Sequence, residues 1–196
     1  MISLQIDPIQ AKSTDSWYNL EKKKNWEVAG PFDFGIKIPS NWAWQKVYYA
    51  PDGIWNRNNA IEMYPNSIPN QTAVFAMIAT DSYYQMKNVA LETYTNYKKE
   101  TPDWFTIDIS TNPNRKLLSE TDITISDQPA KKLEYHLGIL DMKLAMYPTL
   151  YNGEPYIGLF QAKSVLYDQY IKEFEIILQS LTFVDDEEEE EEEEFF

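Results

Sequence analysis

The chain has 196 residues, 43% of them hydrophobic and 15% aromatic, and no cysteine; one domain of this size can bury its own core, and disulfides, thiolate chemistry and cysteine-held metals are excluded. The formal net charge is −14, but ten of the negatives lie in 185–194 and only about −4 remains for the rest, so a nucleic-acid binder, which needs a basic patch, is excluded as well: the densest basic cluster is Lys22, Lys23 and Lys24. No run of about 18 apolar residues is present to form a transmembrane segment, and Met1–Asp7 lacks the charged and apolar regions of a signal peptide.

In chain order, residues 1–25 read as an N-terminal extension, with a short helix expected over 13–24. Thr14 or Asp15 offers a capping oxygen, and Trp17 and Leu20 would face inward. Trp26–Ala29 reads as a short strand broken by Gly30-Pro31. Phe32, Phe34, Ile36 and Ile38 then alternate with Asp33, Gly35 and Lys37, the period of a half-buried strand. Pro39-Ser40-Asn41-Trp42 ends it, and Lys46–Tyr49 forms another strand before Pro51-Asp52-Gly53. Residues 51–72, rich in Asn and Pro and without a period, are predicted to be a long surface loop. The apolar run Val74–Ala79 predicts a strand covered on both faces.

A helix is predicted over 83–100, with Met86, Ala90, Tyr94 and Tyr97 at helical spacing and Thr101-Pro102 as its stop. A strand over Trp104–Ile109 and a turn at Asn112-Pro113-Asn114 follow. Ile123–Ile125 reads as a short strand before a turn at Asp127-Gln128-Pro129. Leu133, Tyr135 and Leu137 alternate with polar residues, as do Leu140, Met142, Leu144 and Met146 with Asp141, Lys143 and Ala145. Asn152-Gly153 signals a hairpin, because both residues tolerate positive φ, and Tyr156–Ala162 is the returning strand. From Val165 to Ser180 an apolar stripe of Tyr170, Phe174, Ile177, Leu178 and Leu181 predicts an amphipathic helix, and Thr182–Val184 closes the domain. Strands, helix, meander and helix together predict an α/β (α+β) domain with a mostly antiparallel central sheet and helices on its faces.

Candidate chemistry is sparse. His136 is the single histidine and has no clear carboxylate partner, so it reads as an ordinary strand residue. Asp33, Asp52, Glu62, Glu134 and Asp141 read as solvated surface acids, since their spacing fixes no pair at catalytic separation. No phosphate loop, dinucleotide fingerprint or nucleophile elbow occurs, and no metal-ligand set. Aromatics crowd 17–55. Trp26 and Trp42 read as core, whereas Trp44, Tyr49 and Trp55 lie beside loops and are the candidate binding residues. Asn70-Gln71-Thr72 fits a glycosylation acceptor, a triplet common by chance. Ten consecutive acids cannot fold against a core, so 185–196 is expected to be a disordered acidic tail. Its glutamates, Glu187, Glu190 and Glu194 among them, could dock on a basic partner, bind divalent cations weakly, or serve only to solubilise; the terminal Phe195 and Phe196 favour a short docking element.

Three stretches together resemble the PsbP-like family, which comprises the extrinsic PsbP subunit of photosystem II and Ran-binding relatives of the same fold. They are Phe34-Gly35-Ile36-Lys37-Ile38-Pro39-Ser40-Asn41-Trp42, then Gln128-Pro129-Ala130-Lys131-Lys132-Leu133-Glu134-Tyr135, and last Tyr156-Ile157-Gly158 to Ala162 followed by Tyr167, Tyr170, Phe174 and Ser180-Leu181-Thr182-Phe183. The likeness spans 26–184, which is read as the domain proper. It implies an α/β/α sandwich and a non-enzymatic binding or accessory role, docking on a protein partner and needing no cofactor. Export is implied only by analogy, if a leader has been removed. The metal sites of some relatives find no matching motif here. The alternative from the residues themselves is a carbohydrate- or small-ligand-binding domain using the aromatic loops at 42–72.

Overall fold

A computed structural model describes residues 17–20, 34–49, 58–68, 73–80, 87–100, 115–138 and 141–183. Its elements are β1 (Trp17–Leu20), β2 (Phe34–Pro39), β3 (Trp42–Tyr49), β4 (Asn58–Pro65), β5 (Val74–Thr80), α1 (Leu91–Glu100), β6 (Arg115–Ile125), β7 (Gln128–Leu137), β8 (Met142–Tyr151), β9 (Glu154–Lys163), α2 (Ser164–Gln179) and β10 (Thr182–Phe183). Seven strands form one sheet in the order β3-β4-β5-β9-β8-β7-β6, every pair antiparallel, and β1-β2-β10 form a small second sheet.

The centre of the large sheet is apolar on both sides because its strands are. Alternation sends Ala76, Ile78, Ala145, Tyr147, Phe160 and Ala162 to one face, and Met77, Ala79, Leu144, Met146, Ile157 and Leu159 to the other. On the first face lies α2. Its stripe of Tyr167, Tyr170, Phe174, Ile177 and Leu178 is buried together with Phe34, Ile36 and Ile38 of β2, and Phe174 stacks on Phe160 with ring centroids 5.5 Å apart. Gly158 permits the close approach: a Cβ there would stand 2.8 Å from a Leu178 methyl. The small sheet is fastened to the end of α2, where the Lys37 amide donates to Ser180 Oγ at 2.9 Å.

The opposite face carries α1. Arg115 on β6 donates to the Lys99 carbonyl at 2.8 Å and lays its guanidinium over the Tyr135 ring, 5.3 Å from the centroid. Lys99 itself meets Glu120 at 2.6 Å. The layers are therefore α2 with the small sheet, the seven-stranded sheet, and α1, the α/β/α sandwich that the PsbP-like resemblance implies.

Several elements differ from expectation. Trp17–Leu20 is a strand and not part of a helix, because it pairs with the free side of β2, Trp17 against Pro39 and Leu20 against Ile36. The expected loop at 51–72 contains β4, in which Ile61 and Met63 are buried between Glu62 and Tyr64. Trp42 opens β3 and does not end β2; the turn is confined to Ser40 and Asn41. Helix α1 begins at Leu91, and Asn88, at φ 57, breaks helical geometry ahead of it while its amide donates to the Gly153 carbonyl at 2.7 Å. Strand β6 has 11 residues where three were expected, and its turn into β7 is Ser126-Asp127, both at positive φ. The Asn152-Gly153 hairpin and α2 stand where the sequence placed them. The strands expected at 26–29 and 104–109, the turn at 112–114, Asn70-Gln71-Thr72 and the tail at 185–196 lie outside the described residues. No helix among the described residues is long and apolar enough to cross a membrane.

Candidate functional site

Of the three aromatic candidates, Trp44 sits on β3 opposite Met63, half-buried against the core beside α2, so one of its faces is used for packing. Tyr49 ends the same strand, opposite Asn58. Trp55 lies outside the described residues, as do Glu187, Glu190 and Glu194. Trp42 is core, as expected, and its indole N–H donates to Glu173 Oε2 of α2 at 2.6 Å.

The α2 face carries a polar network that sequence spacing did not reveal. Lys132 and Glu134 on β7, Tyr147 on β8, and Tyr167 and Glu175 on α2 converge there. Lys132 Nζ lies 2.8 Å from Glu175 Oε1 and 3.2 Å from Glu134 Oε1. Tyr147 donates to Glu175 at 2.9 Å, Tyr167 to Glu134 Oε1 at 2.9 Å, and Ser119 to Glu134 Oε2 at 2.8 Å. Burial alone would raise the Glu134 carboxyl. The donors Ser119 and Tyr167 and the charge of Lys132 outweigh it and hold the group below the usual carboxylate range. For Lys132 burial works downward, but Glu175 and Glu134 prevail and keep the ammonium charged. Burial first, and the facing carboxylates second, push both tyrosines up, so they remain protonated donors. A base must have a free lone pair and an acid a proton to lose. Here Glu134 accepts from three donors and Glu175 Oε1 from two, and both tyrosine hydroxyls donate inward, so the network ties α2 to the sheet as a clamp.

Glu134 is thus no solvated surface acid. Glu62 accepts from Gln45 at 2.8 Å across the β3–β4 pair, Asp141 lies 3.8 Å from His136 Nε2 in the turn before β8, and Asp33 and Asp52 are outside the described residues. The His136–Asp141 approach is a pairing the sequence did not reveal, because Asp141 reaches back across a turn at positive φ. Among the described residues no three His, Asp or Glu side chains are placed to hold a metal.

A second feature is the far edge of the sheet. Among the described residues, strand β6 pairs with β7 alone and is last in the sheet order. Its register shifts between Leu117, opposite Tyr135, and Ser119, opposite Glu134, so Leu118 is an extra residue in a bulge. The shift turns Ser119 toward Glu134 and the α2 face. It also leaves two adjacent leucines in water, Leu117 41% and Leu118 49% exposed. The other large exposed apolar residues among those described, Val165 and Ile176, stand alone on the outer side of α2.

Comparison with known proteins bears on the fold. No protein-family model matches the chain, and no curated protein is similar to it in sequence. Among solved structures, cyanobacterial PsbP (CyanoP) from Synechocystis superposes with a TM-score of 0.52 at 12% identity, over 91% of this chain and 98% of that one. A protein of unknown function from Pseudomonas aeruginosa matches at TM-score 0.48 and 16% identity, over 70% of this chain and 96% of that one. LpqN of Mycobacterium tuberculosis, described as involved in cell envelope biogenesis, matches at 0.43 and 8%, over 78% and 83%. The fold is therefore PsbP-like, while identity this low carries no function across.

Proposed function

We propose that the chain is a non-catalytic docking module that takes a protein partner along the outer edge of β6. The observation that supports this reading most directly is the pair Leu117 and Leu118, exposed side by side on an 11-residue edge strand. Single exposed leucines are ordinary on a protein surface. Two in succession beside a row of outward backbone amides and carbonyls form an apolar grip next to a hydrogen-bonding template, the surface used when an extended segment adds to a sheet. The commitment of the Glu134–Glu175 network to internal partners favours a binding role over catalysis, and the module needs no resident cofactor.

A photo-crosslinking residue in place of Leu118, in cells that make the protein, tests the reading. The expected result is a covalent adduct with one discrete protein that is absent when the same residue replaces Val165. No adduct at 118, or tight binding of an oligosaccharide abolished by Trp44→Ala, would overturn it in favour of the aromatic region at 42–72.

A further inference from the structure

We infer that the strand received at this edge is β6 of a second copy, paired antiparallel about a two-fold axis between Leu118 and Ser119. The inference rests on the docking reading above and names its occupant. It follows from what the bulge does to the face pattern. Leu117 opposes Tyr135, which faces α1, as do Glu120 and Asp122 through their partners Leu133 and Lys131. Ser119 opposes Glu134, which faces α2, and so does Thr121, opposite Lys132. The alternation of β6 therefore reverses at Leu118. Arg115, Leu117, Glu120 and Asp122 share one face, while Lys116 sits on the other with Ser119 and Thr121.

That pattern is its own antiparallel complement. Residues paired across an antiparallel ladder must lie on the same face and direct their N–H and C=O toward one another. With the axis between Leu118 and Ser119, Arg115 falls opposite Asp122 of the second copy, Lys116 opposite Thr121, Leu117 opposite Glu120, and Leu118 opposite Ser119. Every flanking pair matches in face. The terminal pairs match in charge, guanidinium against a carboxylate that is 85% exposed and has room for a second partner beside Lys131. Around the axis each Leu118 lies opposite Ser119 and diagonally across from the other Leu118, so the two Leu118 side chains cover each other. A regular strand with the same residues would lose this match, since odd and even positions would then face each other.

Sedimentation equilibrium of the full chain, with cross-linking, tests the inference. At about 100 µM, where a micromolar dissociation constant gives mostly dimer, the chain should sediment at twice its mass. Leu118→Lys and Asp122→Arg should each weaken association about tenfold or more without moving the thermal midpoint of protein dilute enough to be monomeric, and salt should weaken the native dimer. Because the chain has no cysteine, introduced thiols are unique. The pairs K116C with T121C, and L117C with E120C, lie on opposite faces, and one of them takes the closer cross-strand spacing. Oxidation of one double variant should give a covalent dimer that neither of its single variants gives. A monomer at all concentrations with no cross-link from either pair overturns the inference. If the Leu118 photo-crosslinker then captures a different protein, the docking reading survives without the dimer; if it captures nothing, both fall.

Discussion

Strands β9 and β6 lie three places apart in one sheet and serve opposite ends. In β9 every residue from Pro155 to Ala162 is buried, and both edges are paired, with β5 and β8. In β6 only Ile125 is fully buried, one edge is paired among the described residues, and a bulge interrupts the register. Burial on both faces makes β9 a part of the scaffold, where a change is felt as lost stability. Exposure makes β6 a surface, where a change should be felt as lost association. The comparison predicts that stability and binding can be separated by position.

The largest effect belongs to the core over β9. Phe174→Ala removes the ring stacked on Phe160, leaves a cavity, and should lower the free energy of unfolding by about 3–5 kcal/mol, read from the urea midpoint at unchanged slope. A smaller loss would mean that α2 repacks and the scaffold is looser than its burial implies.

The clamp between the regions comes next. Glu134→Ala strands the hydroxyls of Ser119 and Tyr167 and takes one carboxylate from Lys132, with an expected cost of about 1–3 kcal/mol. The sign of its pH dependence follows from the depressed carboxyl. Stability from Glu134 is full above its unfolded value of about 4.3 and is lost as pH falls through the lower folded value. The difference between wild type and Glu134→Gln should therefore be constant near neutrality and shrink below about pH 4. A difference that grows on acidification would show that burial, not the donors, dominates.

Gly153→Ala should cost about 1–2 kcal/mol, because φ 78 disfavours any Cβ and the new methyl would collide with the Asn88 side chain. The smallest stability effect is at the edge. Leu117→Ser with Leu118→Ser should stay within about 0.5 kcal/mol while abolishing association, and a large stability loss there would erase the distinction between the two strands.

The same contrast explains what the sequence made legible. Asn152-Gly153, the stripe of α2 and the apolar run of β5 announce themselves because covered elements must repeat with the period of their own geometry. In β6 the run from Arg115 to Asp122 shows no period, since an edge strand wet on both sides has no apolar face to repeat and the bulge inverts what alternation remains. In β4 the alternation of Ile61 and Met63 with Glu62 and Tyr64 was present but obscured by the surrounding asparagines and prolines. The network at Glu134 joins β6, β7, β8 and α2, segments separated by up to 56 positions, from Ser119 to Glu175, and no spacing rule within one element could have assembled it. Among the binding candidates, Trp44 is half-buried against the core, and the loop beside it in sequence did not reveal that part of its ring packs inward.

Amide hydrogen exchange on dilute and concentrated protein tests most directly that β6 is an edge awaiting the same strand from a second copy. The account predicts that amides within 115–122 slow as concentration rises, while those of 156–162, already closed on both sides, do not change. Exchange along β6 that is independent of concentration would contradict it.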